Sequence, residues 1–242
     1  HLTRYRGYGI LSVTWGTRQR GSNMGTIERH SMAGGYVRGV ITLDEYPDSP
    51  REWDNFGTMV CAHPRYDLGD VQCSSAEGVT QELLALAGWI EDQYNEDGDL
   101  IEWTDEQREA ALDRALVRLP LYLFDHSGLT MSTSTWTFRA VDSVGWDWGM
   151  VGWIAVSWDK AKAEFGDDVT REQVVAALQS EVDVYDQYLR GDVYGVDVWV
   201  KGGEHDLMFG CYGLDYARQA LRDGMRALVE REAAKLHEGV AV

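Results

Sequence analysis

At 242 residues the chain is long enough for one sizeable domain or two small ones, and such a chain buries its core without covalent staples. Three cysteines, Cys61, Cys73 and Cys211, form no CxxC pair, which argues against a disulfide framework. A net charge of −18 excludes general affinity for nucleic acid or anionic membrane, and favours basic partners or divalent cations.

The charge is uneven. Residues 1–39 hold six arginines and a single acid, Glu28, so the remainder is more acidic than the total suggests. Residues 1–31 are expected to be a basic N-terminal arm, either flexible or upstream of the true start, since Met24 and Met32 can each begin the protein. The arm's one strand-like stretch is "ILSVTW", and direct contact with nucleic acid is not expected except through the basic arm. The first thirty residues lack the apolar core of a secretion signal, and no run approaches the roughly 18 apolar residues that cross a bilayer. The expected location is the reducing cytoplasm of a host cell.

From Tyr36 the pattern sharpens. "YVRGVITLDEY" and "GTMVCAH" read as strands on either side of the "PDSP" break. "VTQELLALAGWIEDQY" places Leu83, Leu84, Ala87, Ile90 and Tyr94 on one helical stripe. Thr104 and Gln107 form a capping box for a helix whose buried face is expected to run through Ala111, Leu112, Ala115, Leu116 and Leu119, closed by Pro120.

"LYLFDH", "TMSTSTWTF" and "MVGWIAVSW" are rich in β-branched and aromatic residues and read as three further strands. Thr170 and Gln173 open another helix, in which Val174, Leu178, Val182, Tyr185 and Leu189 share a face. Gly191 is placed to end that helix in a left-handed turn, after which "DVYGVDVWV" and "LMFGCYG" are strands and Leu214–His237 a last amphipathic helix. The sum is a single α+β domain over 32–242, with a mostly antiparallel central sheet and about four main helices.

The segments "EYPDSPREWDNFGTMVCAHPRYDLGD", "LPLYLFDHSGLTMST", "MVGWIAVS" and "SEVDVYDQYLRGDVYG" together resemble an uncharacterised family of bacteriophage- and mobile-element-encoded proteins, across about residues 40–215. The resemblance implies a mobile-element origin and brings no catalytic residue with it. The chain departs from the family at "VGWDWGMVGW", where a compact Trp-Asp-Ser-Gly turn is expected.

No GxSxG elbow, GxxxxGK loop, HExxH helix or dinucleotide-binding glycine pattern occurs, so the common hydrolase and nucleotide signatures lack support. No cofactor is expected. Cys61 and His63 share a face of a strand and could ligate zinc with His126, Asp125 or Cys73, although a buried thiol beside a surface histidine is the plainer reading, and no metal is assigned.

Asp125, His126 and Ser127 end a strand, and contiguous residues cannot form a relay among themselves. His126 could still act as a general base if Asp147 or Asp192 approached it. The loop carrying Arg51, Trp53, Asp54 and Asn55 is either a self-capped turn or a partner site. Asp192 and Tyr194, two apart, are expected to meet a ligand together.

Between Glu91 and Asp113 stand ten acids against one base, a run represented by Asp92, Glu96, Asp99 and Glu106 that is either a solvated helix face or an imitation of a DNA backbone. The expected function is an acidic accessory protein that binds a host or phage protein. The alternative is a small-molecule enzyme, perhaps a hydrolase, with a cleft of Asp54, His63, Asp125, His126 and Asp192.

Overall fold

The computed structural model describes residues 25–89, 103–203 and 205–238. Its strands in chain order are β1 (Thr26–Met32), β2 (Val37–Leu43), β3 (Thr58–Ala62), β4 (Val71–Cys73), β5 (Leu116–Asp125), β6 (Leu129–Ser132), β7 (Trp148–Ser157), β8 (Val193–Val200) and β9 (His205–Tyr212). The helices are α1 (Ala76–Leu86), α2 (Asp105–Ala115), α3 (Trp136–Val141), α4 (Trp158–Phe165), α5 (Arg171–Leu189) and α6 (Leu214–Glu238). The class is α+β, and the strand pairs are antiparallel except for β3 with β4.

The strands expected to make one central sheet are shared between two, and the chain divides into two compact units. The smaller combines the residues up to Ser49 with those from Arg190 onward, and the larger, Pro50–Leu189, is inserted between β2 and β8.

In the smaller unit the sheet order is β1-β2-β8-β9. Alternate residues Tyr194, Val196, Val198 and Val200 of β8 join Val37 and Ile41 of β2 against Ala217, Leu221, Met225 and Leu228 of α6. The contact is close enough that a Cβ on Gly39 would stand 2.5 Å from Leu221 Cδ1. The end of the expected arm, residues 26–31, lies in edge strand β1, which is mostly exposed; residues 1–24 lie outside the described residues.

The larger unit has sheet order β4-β3-β7-β5-β6, covered on both faces. Met59, Cys61, Leu121, Ile154 and Val156 meet Val174, Leu178, Val182 and Tyr185 of α5. Val60, Leu116 and Ala155 point the other way, to Val79, Leu83 and Leu84 of α1 and Leu112 of α2. The α5 stripe expected from its spacing is therefore the core stripe, and Gly191 takes the left-handed φ of 74° expected of it.

Three boundaries differ from expectation. First, α1 starts earlier, capped by Ser75, and stops at Leu86 because Gly88 adopts a left-handed φ of 72°; Ile90 and Tyr94 lie outside the described residues.

Second, the Thr104–Gln107 capping box forms as expected, but α2 ends at Ala115, and Leu116–Leu119 belong to β5, which runs straight through Pro120. Proline is tolerated there because β6 flanks only Tyr122–Asp125, leaving Pro120 with β7 as its single neighbour strand.

Third, "TMSTSTWTF" is not one strand. β6 ends at Ser132, and the Trp136–Val141 part is helix α3.

Two substitutions probe this packing. At the bulge where β7 faces β5, a Cβ on Gly152 would lie 2.0 Å from the Val60 carbonyl oxygen, so Gly152→Ala should unfold the larger unit or displace β3. Tyr185 is 3% exposed, and its hydroxyl accepts the Gly69 N–H at 3.1 Å. Tyr185→Ala should therefore cost about 3–5 kcal/mol as a buried aromatic truncation. Tyr185→Phe, which loses only the hydrogen bond, should cost about 1 kcal/mol. Denaturant unfolding of the variants measures both.

Candidate functional site

Pro50 and the two residues after it form a single 3-10 turn at the entrance to the larger unit. Its Arg51 side chain is 4% exposed and turned inward. The guanidinium donates to Asp70 through Nε at 2.9 Å, to Glu181 of α5 at 3.0 Å, and to the Gly57 carbonyl at 2.8 Å. The carboxylates are used again: Asp70 accepts the Met59 N–H, and Glu181 accepts those of Phe56 and Gly57.

Burial opposes the charge on Arg51, but the two carboxylates outweigh it and hold the guanidinium above its ordinary value. Asn55 caps the same loop by donating to the carbonyls of Pro50 and Trp53. Of the four residues expected to form a partner site here, Arg51 and Asn55 are therefore structural, Trp53 is half-buried and Asp54 is exposed. Asp70 and Glu181 escaped the sequence reading, because they stand 19 and 130 residues from Arg51 in the chain.

A second group gathers where β3 ends and the β5–β6 hairpin turns. His63 Nδ1 accepts the N–H groups of Arg65 and Tyr66, each at 3.2 Å, and its ring stacks on Tyr66 with centroids 4.9 Å apart. Asp125 receives the Arg65 guanidinium and, at 3.2 Å, the Tyr66 hydroxyl. His126 and Ser127 form the hairpin turn with Gly128, Ser127 taking a left-handed φ of 59°. His126 Nδ1 lies 3.1 Å from Asp147 Oδ2, the approach the sequence reading required of a general base, and both side chains are well exposed.

Cys61 sits in the core, and burial, with Asp70 as the next cause, pushes its thiol up to about 12. His63 spends Nδ1 on backbone. Among the described residues no three His, Cys, Asp or Glu side chains converge as metal ligands.

A third feature turns on Asp142, which the sequence reading did not single out. Between α3 and β7, Asp142 accepts the N–H groups of Val144 and Gly145 through Oδ1 and that of Asp147 through Oδ2, while Trp148 Nε1 donates to its carbonyl. The bond from Asp147, then burial acting in the opposite sense, then the bonds from Gly145 and Val144 leave the Asp142 carboxyl below its ordinary value. Phe138 is buried against Phe124. This anchored segment leaves Trp136 82% and Trp146 86% exposed, with Val141, Val144 and Met150 also outside.

In the smaller unit Asp192 pairs with Arg190 at 2.8 Å, both half-exposed, and its carbonyl accepts the Gly213 N–H. Tyr194 is 8% exposed and packs in the core. Burial, followed by the Asp192 carboxylate, raises its phenol, so the two groups are near each other but the ring is not free to meet a ligand. The expected cleft thus drew on both units, Asp192 from one and Asp54, His63, Asp125 and His126 from the other. Asp92, Glu96 and Asp99 lie outside the described residues, and Glu106 is exposed in the first turn of α2.

No protein-family model, curated protein or solved structure matches the chain. No helix among the described residues is long and apolar enough to cross a membrane.

His63 provides a pH test. Burial, followed by the Arg65 guanidinium, holds its imidazole below the ordinary 6.5, with Asp125 pulling the other way. The folded state then binds fewer protons than the unfolded chain, so the stability His63 contributes is present above about pH 6.5 and is lost as pH falls below it. The pH slope of thermal unfolding between about 7 and 5 should be shallower in His63→Asn than in the natural chain. Equal slopes would show that His63 is not a neutral cap. Asp192→Asn, by contrast, breaks only a surface pair and should shift stability by at most about 1 kcal/mol.

Proposed function

We propose that the chain is an accessory protein of a bacteriophage or mobile element that acts by binding a host or phage protein, through the 136–150 segment of the larger unit. The observation that carries this reading is the exposure of two tryptophans, 82% and 86%, within eleven residues of sequence, Trp136 opening α3 and Trp146 on the turn fixed by the Asp142 carboxylate. Exposed large apolar side chains in such number mark an interaction surface. Tryptophan supplies contact area at low entropic cost and is enriched among the residues that dominate interface energies. Because the loop backbone is already hydrogen-bonded, little ordering remains to oppose binding.

The net charge of −18 argues against a nucleic-acid partner and for a basic protein.

The test is affinity capture from host lysate with the natural chain and with the Trp136→Ser/Trp146→Ser variant. The natural chain should retain a protein at near-stoichiometric ratio, and the variant should lose at least about tenfold of it, as removal of interface-dominating residues does, while melting is unchanged. Equal retention by both would remove the loop from the reading.

The small-molecule hydrolase reading has one observation in its favour, the approach of His126 Nδ1 to Asp147 with the histidine side chain well exposed. It requires turnover of an activated ester or phosphate that disappears in both His126→Gln and Asp147→Asn. Turnover indifferent to these changes would end it.

A further inference from the structure

The core stripe of α6, Ala217, Leu221, Met225 and Leu228, packs on the smaller sheet, and beside it runs a second stripe of small residues. Ala220, Gly224 and Ala227 of that stripe, with Val198, Leu207 and Met208, enclose an open groove of about 570 Å³. Asp206 and Met208 stand opposite Val198 and Val196 of β8, so both lie on the α6 side of the sheet, and Arg231 of α6 bonds to Asp206. The groove therefore follows β9, the last strand of its sheet, whose outer edge has no strand neighbour among the described residues. A fifth strand would lie about 4.8 Å beyond β9, and alternate side chains on it would rise toward the small residues of α6.

The rim restricts what such a strand carries. It holds Asp206, Asp223 and Glu230 against Arg231, which is bonded to Asp206, while nearby Arg226 lies 3.6 Å from Asp223, so one acid remains in excess. Asp223 and Glu230 are exposed and seven residues apart, about 10 Å along the helix. Side chains four residues apart on one face of a strand are about 14 Å apart, a mismatch that the flexible stem of lysine spans. An apolar side chain midway between them falls beside Gly224 and Ala227, where the helix leaves room.

We propose that the groove docks an extended segment of a partner protein, added to β9 as a fifth strand and carrying on one face a large apolar side chain between two basic ones. Backbone hydrogen bonds along β9 supply affinity, and the groove and its rim supply selection. The surface belongs to the smaller unit and needs neither Trp136 nor Trp146. A second copy is the poorer occupant, because pairing β9 with β9 brings two acidic rims together and each copy carries −18.

The test is an NMR titration of the isotope-labelled full chain with a seven-residue threonine peptide bearing lysine, phenylalanine and lysine at its second, fourth and sixth positions. Amide resonances of residues 205–209 should shift and approach saturation at millimolar peptide, and exchanging both lysines for glutamate should weaken binding at least about tenfold. Methylating the peptide nitrogens along one edge should abolish binding, and methylating those along the other should leave it intact, as pairing with a strand edge requires. Ala227→Leu, which fills the groove from an exposed helix position, should weaken binding at least about tenfold with melting unchanged. Glu230→Lys should weaken it about threefold or more. Because Glu230→Lys alters no packed residue, it remains informative should Ala227→Leu disturb α6. Trp136→Ser/Trp146→Ser should bind the peptide like the natural chain, which separates failure of the loop reading from failure of this one. No shift in β9 at millimolar peptide, equal binding of the lysine and glutamate peptides, or binding indifferent to both groove variants would each overturn the proposal. Resonances of β9 that move with protein concentration in the absence of peptide would also overturn it, by assigning the edge to a second copy.

Discussion

The larger unit is organised around one buried cation. Arg51 cannot be placed in an apolar interior without partners, since an unpaired buried charge costs several kcal/mol. Here it has two carboxylates and a carbonyl, and the carboxylates in turn collect the N–H groups of residues 56, 57 and 59. Four pieces of chain therefore share one set of bonds: the entry turn at Pro50, the start of β3, the Gly69–Asp70 turn and the middle of α5. Gly69 donates to Tyr185 one helical turn beyond Glu181, so the same turn is tied to α5 directly as well as through Arg51. Such a network adds little net stability compared with apolar packing, but it admits few alternative arrangements, because a half-satisfied version leaves charge buried.

This arrangement explains why Arg51 and Asn55, in the loop that looked most like a recognition site, are taken up by the fold itself. A loop rich in Arg, Glu, Trp, Asp and Asn between two strands reads equally as surface chemistry or as a self-capped turn. Sequence alone offers no means of telling which, since the partners of Arg51 are 19 and 130 residues away. What the sequence does carry is local. The capping boxes at Thr104 and Thr170, the α5 stripe and the Gly191 reversal were legible because each depends on neighbours within a few residues.

The misreadings share a cause. Leu116 and Leu119 continue the apolar spacing of α2, yet they are strand residues, because β7 offers a continuous pairing edge that outweighs local helical preference. The division into two sheets was equally hidden. β2 and β8 pair across an insertion of well over a hundred residues, and nothing in either strand names its partner. Tyr194 illustrates the limit at a single residue: its alternation with Asp192 was legible, but which face of β8 meets α6 was not.

The charge and the exposed tryptophans make physical sense together. A surface with two indoles more than 80% exposed invites self-association in a neutral protein. A charge of −18 on every copy sets a repulsion between identical molecules that a single small apolar contact does not overcome. The same field acts with opposite sign on a basic partner, raising its encounter rate before any apolar contact is made. On the proposed reading, acidity and the exposed indoles would act at different stages: long-range charge would reject self and nucleic acid, and the indoles would decide among the molecules that charge had drawn near. The internal bonding of the turn after Asp142 fits that reading, since a flexible apolar segment would collapse onto its own surface and be lost to any partner.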